Sequence, residues 1–171
     1  MALLYITGSP GSGKSSVKEE LVIRGYASYG GGEDGFAAFY NNDTGKRIDN
    51  WVTAEQRTPE WRNKHTWKLI PEKITQLKSE AKHKPIFLCA IAKNEVEFWD
   101  LFDKFIVLDI DEDTMQKRLA TRTNNDVGKA ESELKELLAD RKLKQYPQNA
   151  IHIDASRSLN EVVKDIIVLA S

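Results

Sequence analysis

The stretch GSPGSGKSS, Gly8 to Ser16, follows only the seven residues MALLYIT. Within it, Gly8-Ser9-Pro10-Gly11-Ser12-Gly13-Lys14-Ser15 fits the pattern G-x-x-x-x-G-K-[ST] without a gap. Glycines admit positive φ and let backbone approach a ligand closely, so successive N–H groups can turn inward around an oxyanion. A helix that begins at the end of such a loop points its positive end at the same place. The motif therefore predicts a cradle, extending to Ser16, for the phosphates of a nucleoside triphosphate. Lys14 is expected on the β and γ phosphates and the Ser15 hydroxyl on Mg²⁺, which makes ATP and Mg²⁺ the ligands to look for.

The flanks supply the context that the motif needs. ALLYIT is a short apolar run stopped by glycine, the pattern of a strand buried on both faces. KSSVKEELVIRGY then spaces Val17, Leu21 and Val22 as on a helix before Gly25. A weak strand signal, YASY, follows at Tyr26, and stronger ones recur at PIFLCAIA from Pro85, KFIVLDI from Lys104 and AIHIDA from Ala150. Helical patterns separate them. NEVEFWDLFD and SLNEVVKDIIVLA each open on a capping signature, Asn94 with Glu97 and Ser158 with Glu161. DEDTMQKRLATR has acidic residues first and arginines last, as the helix dipole favours. TPEWRNKHTWKLIPEKITQLKSEAK spaces Trp67, Ile70, Ile74, Leu77 and Ala81 along one helical face, with Pro71 expected to kink or divide it. Strands alternating with helices imply a parallel sheet covered on both sides.

Composition sets the limits. A chain of 171 residues, 40% apolar and 30% charged with net charge −1, suits one domain over 1–171 and suggests neither disorder nor a basic nucleic-acid surface. The single cysteine, Cys89, sits in an apolar run and reads as a reduced core thiol, which suits a cytoplasmic protein. No apolar stretch is long enough to span a bilayer, and ALLYI is too short for a signal-peptide core. The expected partner is a small-molecule acceptor, with the chain a monomer or homodimer and nucleic acid not expected.

Taken together, the amino-terminal phosphate loop, FIVLDIDEDTMQKRLATR, a short lid and IHIDASRSLNEVVKDII resemble the nucleoside monophosphate kinase-like group of P-loop kinases, which includes adenylate, cytidylate and shikimate kinases. The resemblance covers most of the chain. It implies a three-layer α/β fold with a five-stranded parallel sheet in the order 2-3-1-4-5, an acceptor-binding region at about 45–82 and a lid at about 123–130. It also implies that Arg118 and Arg122, four apart at a helix end, flank the phosphates, the planar guanidinium being suited to a transferring phosphoryl group. As plain surface residues the same arginines would pair with Asp111 and Asp113. Arg141 is either a further phosphate contact or a surface residue.

Two departures stand out. LCAIAKNE offers no carboxylate where a Walker B aspartate would follow the third strand, and Asp109 reads as part of a turn and helix start. The glycines of GGGEDG, Gly30 to Gly35, lie instead after the second strand. There Glu33 and Asp34 would face the γ-phosphate, to bind Mg²⁺ through water or to take a proton from an acceptor hydroxyl; the rival reading is a flexible acidic turn. In the acceptor region Arg57 and Arg62 are candidates to grip a phosphate or carboxylate, and Trp61 and His65, four apart, to stack a planar group. Trp67 reads as core. Asn94, at a strand end, is a helix cap or an acceptor contact. The expected activity is transfer of the γ-phosphoryl group of ATP to a small acceptor, a nucleotide first and shikimate or another hydroxylated metabolite second. An ATP-binding regulatory module with slow hydrolysis is the reading from a different class.

Overall fold

A computed structural model describes residues 1–123 and 126–170. Asn124 and Asn125, within the expected lid, lie outside the described residues.

Five parallel strands form the central sheet: β1 (Leu3–Thr7), β2 (Ala27–Gly30), β6 (Ile86–Cys89), β7 (Lys104–Asp109) and β8 (Ile151–Asp154), in the order β2-β6-β1-β7-β8. Counted within this sheet the order is 2-3-1-4-5, as expected. The two central strands beside the phosphate loop, β1 and β6, are buried along their whole length, which is why LLYIT and IFLC read as unbroken apolar runs. The edge strand β8 alternates instead. Successive side chains of β1 enter opposite cores. Leu4 and Ile6 pack with Val17, Leu21, Met115 and Val163 from the helices α1 (Lys14–Ile23), α4 (Glu112–Thr121) and α6 (Leu159–Leu169). Leu3 and Tyr5 pack with Ile74 and Leu77 of α3 (Pro71–Glu80) and with Phe98 and Phe102. Among the described residues no helix is long and apolar enough to cross a membrane.

Of the two capping signatures the one at Ser158 forms, and the acidic start of α4 supplies a cap as well. Asp111 accepts the Thr114 N–H at 2.7 Å to start α4, and Ser158 with Glu161 makes a capping box at α6. Val22, by contrast, lies on the solvent side of α1. A further helix, α5 (Glu131–Leu143), follows the lid and leans Leu134, Leu137 and Leu138 on the first core.

The region between β2 and β6 differs from the expected long helix. It contains a three-stranded antiparallel sheet in the order β4-β3-β5, made of β3 (Ala37–Asn41), β4 (Arg47–Ile48) and β5 (His65–Leu69), with only a short α2 (Pro59–Lys64) before β5. Phe39 pairs with Trp67 and Asn41 with His65 across β3 and β5. Trp67 therefore belongs to a strand, and Pro71 begins a helix rather than kinking one. It occupies the first turn, where its missing N–H costs nothing. The segment at Asn94 also differs. It is a 3₁₀ turn over Glu95–Leu101, and the Asn94 side chain does not cap it.

Cys89 is buried, its sulfur 4.0 Å from the Ser28 hydroxyl oxygen, and burial pushes its thiol up to about 12. Leu4, at the centre of the sheet with no exposed surface, tests the packing. Leu4→Ala is expected to lower stability by about 2–5 kcal/mol in urea unfolding, with the denaturant slope unchanged.

Candidate active site

The phosphate loop leaves β1 at Gly8 and enters α1 at Lys14. Gly8, Gly11 and Gly13 all have positive φ, at 151°, 83° and 100°. A Cβ at Gly8 would stand 2.7 Å from the Leu108 carbonyl oxygen, so the loop turns tight against β7. Lys14 Nζ lies inside the turn, donating to the carbonyls of Gly8 at 2.6 Å and Ser9 at 3.0 Å and approaching Ser12 Oγ at 3.4 Å. Burial lowers the pKa of this ammonium to about 8; the charge of Glu95 opposes the fall, while Arg122 and Lys144 add to it. An incoming polyphosphate would reverse that balance.

The two acidic residues of GGGEDG are separated by geometry. Glu33 Oε1 accepts the Ser15 hydroxyl at 2.9 Å and its Oε2 lies 2.8 Å from Lys18 Nζ. Burial raises its pKa, but Lys18 and Ser15 outweigh that, so the carboxylate lies below its usual range and is ionised at neutral pH. Asp34 turns back, accepting the Gly30 N–H at 2.6 Å and standing 3.7 Å from Lys18. Glu33 is thus the carboxylate beside the expected Mg²⁺ ligand, and Asp34 fastens its loop. The adjacent Ser15 hydroxyl and Glu33 carboxylate suit a hard cation. Among the described residues no group of three His, Cys, Asp or Glu side chains is placed to hold a metal ion.

Basic residues surround the loop. Arg118 donates to the carbonyls of Gly11 and Ala155, both at 3.2 Å, so it packs against the phosphate loop rather than pairing with Asp111 or Asp113. Arg122 bonds the Val127 carbonyl, and its Nε is buried without a partner among the described residues. Burial lowers the pKa of this guanidinium. Arg141 reaches Ser9 Oγ at 3.4 Å and the Ile110 carbonyl. Asp109 pairs with His152 Nδ1 at 2.8 Å, on the far side of β7 from β1, so it is not a substitute for a loop-facing carboxylate.

One carboxylate escapes a reading by strand ends. Glu95, 3% exposed, returns beneath the loop through the 3₁₀ turn. Its Oε1 accepts Tyr5 Oη at 2.9 Å, Thr7 Oγ1 at 3.1 Å and the Ala92 N–H at 2.9 Å. The sequence signal for it was a glutamate close behind a buried run.

The acceptor-region candidates divide. Arg57, 1% exposed, spends its guanidinium within the protein: Nε on Glu133 at 2.9 Å, Nη2 on Asp126 at 3.0 Å and Nη1 on the Val52 carbonyl at 2.6 Å. Arg62 makes a two-pronged pair with Glu136 at 2.6 and 2.9 Å and also bonds the Arg57 carbonyl. Both arginines bolt the segment before β5 to α5. Trp61 and His65 do stack, with centroids 4.0 Å apart, but on each other. The His65 Nδ1–H donates to the Trp61 carbonyl at 2.7 Å. Phe39 meets Trp61 and Trp67 edge-on, both at 4.8 Å, and Trp67 lies against Gly32, where a Cβ would stand 3.1 Å from its ring. An aromatic wall therefore adjoins the loop that carries Glu33. Asn94 is neither cap nor free contact: its amide accepts the Leu69 N–H at 2.7 Å and donates to the Leu69 carbonyl at 3.1 Å, extending β5 as a strand would.

The family described as AAA domain matches residues 4–139, from the first strand through most of α5. The chain belongs to that family. Among solved structures it shares its fold with a sugar kinase from Janibacter sp. HTCC2649, at 16% identity over 98% of this chain and 93% of that one, with a TM-score of 0.59. A gluconokinase from Sinorhizobium meliloti 1021 follows at 19% identity, 99% and 93% coverage and a TM-score of 0.55. Shikimate kinase from Aquifex aeolicus is 16% identical over 98% and 94%, with a TM-score of 0.53. No curated protein matches the sequence. The architecture is that of the P-loop kinases of the nucleoside monophosphate kinase-like group, as the resemblance implied.

Two measurements test the site. Because Lys14 is charged below about pH 8 and loses its proton above it, MgATP binding should be accompanied by proton uptake that grows as the pH rises through that value. Calorimetry in buffers of different ionisation enthalpy reads this directly, and affinity should fall on the same side. Arg57→Met leaves Glu133 buried without its partner and is expected to cost about 3–5 kcal/mol in urea unfolding, far more than a surface pair.

Proposed function

We propose that this domain transfers the γ-phosphoryl group of ATP to a small acceptor bearing a free hydroxyl. The observation that carries the reading is the contact of the Glu33 carboxylate with Ser15, beside the phosphate loop and next to the aromatic wall of Phe39, Trp61 and Trp67. The loop amides and Lys14 would hold the triphosphate. The acceptor oxygen would attack the γ-phosphorus, the bond to the β–γ bridging oxygen would break, and ADP would leave with that electron pair. A phosphate acceptor is already ionised and gains nothing from a neighbouring base; a hydroxyl does, and Glu33, ionised beside Ser15, would take its proton. Arg122, whose Nε is buried without a partner among the described residues, is the lid arginine suited to the charge that would spread over the moving group. Ser15 and Glu33 are the residues that would hold Mg²⁺, which would supply charge neutralisation at the phosphates.

A nucleotide monophosphate acceptor needs cations for its own phosphate. Arg57 and Arg62, the arginines that the sequence offered for that task, are each paired to carboxylates of α5 or the lid. This favours a hydroxylated acceptor over a nucleotide. Aromatic rings suit a sugar ring or a planar group equally.

The test is ADP release from MgATP against a panel of sugars, polyols, hydroxy acids, nucleosides and nucleoside monophosphates. Stimulation by a hydroxylated compound is expected. Glu33→Gln should lower that rate about 10²-fold or more, and Lys14→Met should abolish it. ADP release that ignores every acceptor would instead support a regulatory module, and stimulation confined to monophosphates would restore the nucleotide reading.

A further inference from the structure

The mechanism above leaves a buried charge without a task. Glu95 is almost fully enclosed, and a buried carboxylate is costly unless it is paired and hydrogen-bonded; an apolar side chain would fill the same space without that cost. Three donors saturate Oε1, and two of them, Tyr5 and Thr7, belong to β1, Thr7 being the residue before Gly8. Oε2 faces elsewhere. It stands 2.8 Å from the ammonium of Lys144, the residue that ends α5. Lys144 Nζ also donates to the Ala92 carbonyl at 3.2 Å.

An ammonium carries three N–H donors. Ala92 accepts one of them, the contact with Glu95 is an ion pair rather than an aligned hydrogen bond, and no other contact among the described residues engages the rest. The Lys144 side chain is 21% exposed, so its head is reachable from solvent. Its position is the informative point. Ala92 and Glu95 follow the carboxyl end of β6, beside β1, and the crevice outside the carboxyl ends of such strands is where ligands bind. The charges of both Glu95 and Lys144 reach Lys14. Arg141, one turn earlier on α5, touches Ser9 of the phosphate loop. The carboxyl end of α5 therefore carries two cations, Arg141 against Ser9 of the phosphate loop and Lys144 against Ala92 and Glu95, and among the described residues only Lys144 has a buried carboxylate beside it.

We infer that Lys144, aimed by the positioning residue Glu95, is a second lysine of the phosphate site and binds the terminal phosphoryl group of a nucleoside triphosphate opposite Lys14. The inference rests on the phosphotransferase reading. Lys144 approaches from the carboxyl end of α5, beside the end of β6, whereas Lys14 belongs to the loop itself, so the two would reach the group that moves from different elements. Glu95 would hold Lys144 at a fixed point while remaining too buried to meet the phosphate.

The experiment compares ADP with the imido analogue AMPPNP, each with Mg²⁺, by calorimetry on the full chain. Lys144→Ala should weaken AMPPNP about tenfold while leaving ADP within about twofold, because only the former carries a γ-phosphoryl group. Lys144→Arg should recover most of the loss. Glu95→Gln should also weaken AMPPNP selectively, and combining it with Lys144→Ala should add nothing further, since the two act as one unit. Melting curves accompany each variant. If Lys144→Ala binds both nucleotides as the parent does, loses both equally, or merely melts earlier with its nucleotide preference intact, the inference is overturned while the phosphate loop stands. If the parent protein binds neither nucleotide, the phosphotransferase reading falls and this inference with it.

Discussion

The structure turns on the absence of a side chain at Gly8. With φ at 151° and the Leu108 carbonyl oxygen 2.7 Å from where a Cβ would be, the chain passes from β1 into the loop pressed against the neighbouring strand. Only that close passage lets the loop fold around the Lys14 ammonium, whose contacts with the Gly8 and Ser9 carbonyls close it from within. The other neighbours respond to the same shape. Met115 and Arg118 of α4 back Gly11, Arg141 of α5 reaches Ser9, and Glu95 ties the strand beneath it to the next turn. The loop is thus an object held on all sides, which is what preorganised recognition of an anion requires.

Adjacent carboxylates acquire different chemistry through their surroundings. Glu33 and Asp34 share a loop and a lysine, yet one points at the Ser15 hydroxyl and the other at the Gly30 amide. In the same way four arginines divide: Arg118 contacts the phosphate loop, Arg122 bonds Val127, and Arg57 and Arg62 pin the acceptor segment to α5. Charge and residue type alone do not distinguish these roles. Partner geometry does.

Much of the scaffold is readable from residues close in sequence. The phosphate loop, the buried strands and the cap at Ser158 are local patterns that the fold keeps, whereas the Asn94–Glu97 signature, just as local, yields no side-chain cap. The acceptor region misleads for a definite reason: Trp67, Ile70, Ile74 and Leu77 keep helical spacing across a boundary where a strand ends and Pro71 starts a helix. The β-branched and aromatic run His65-Thr66-Trp67 was the opposing signal. Arg57 and Arg62 find their carboxylates some 70 residues away, and Asn94 finds Leu69 across a gap of 25, so no spacing rule exposes them. Glu95 was hidden by position, since it lies beyond the strand end where a catalytic acid is usually sought and comes back only through a 3₁₀ turn.

The lone thiol has a practical side. Cys89, enclosed beside Ser28 with its proton held up to about pH 12, presents almost no thiolate to a reagent near neutrality. The wild-type chain is thereby a silent background for site-directed labelling: a fluorophore or spin probe attached through a cysteine introduced on the lid or on the β3–β4 hairpin would report from that place alone, without first removing a native sulfhydryl from the core.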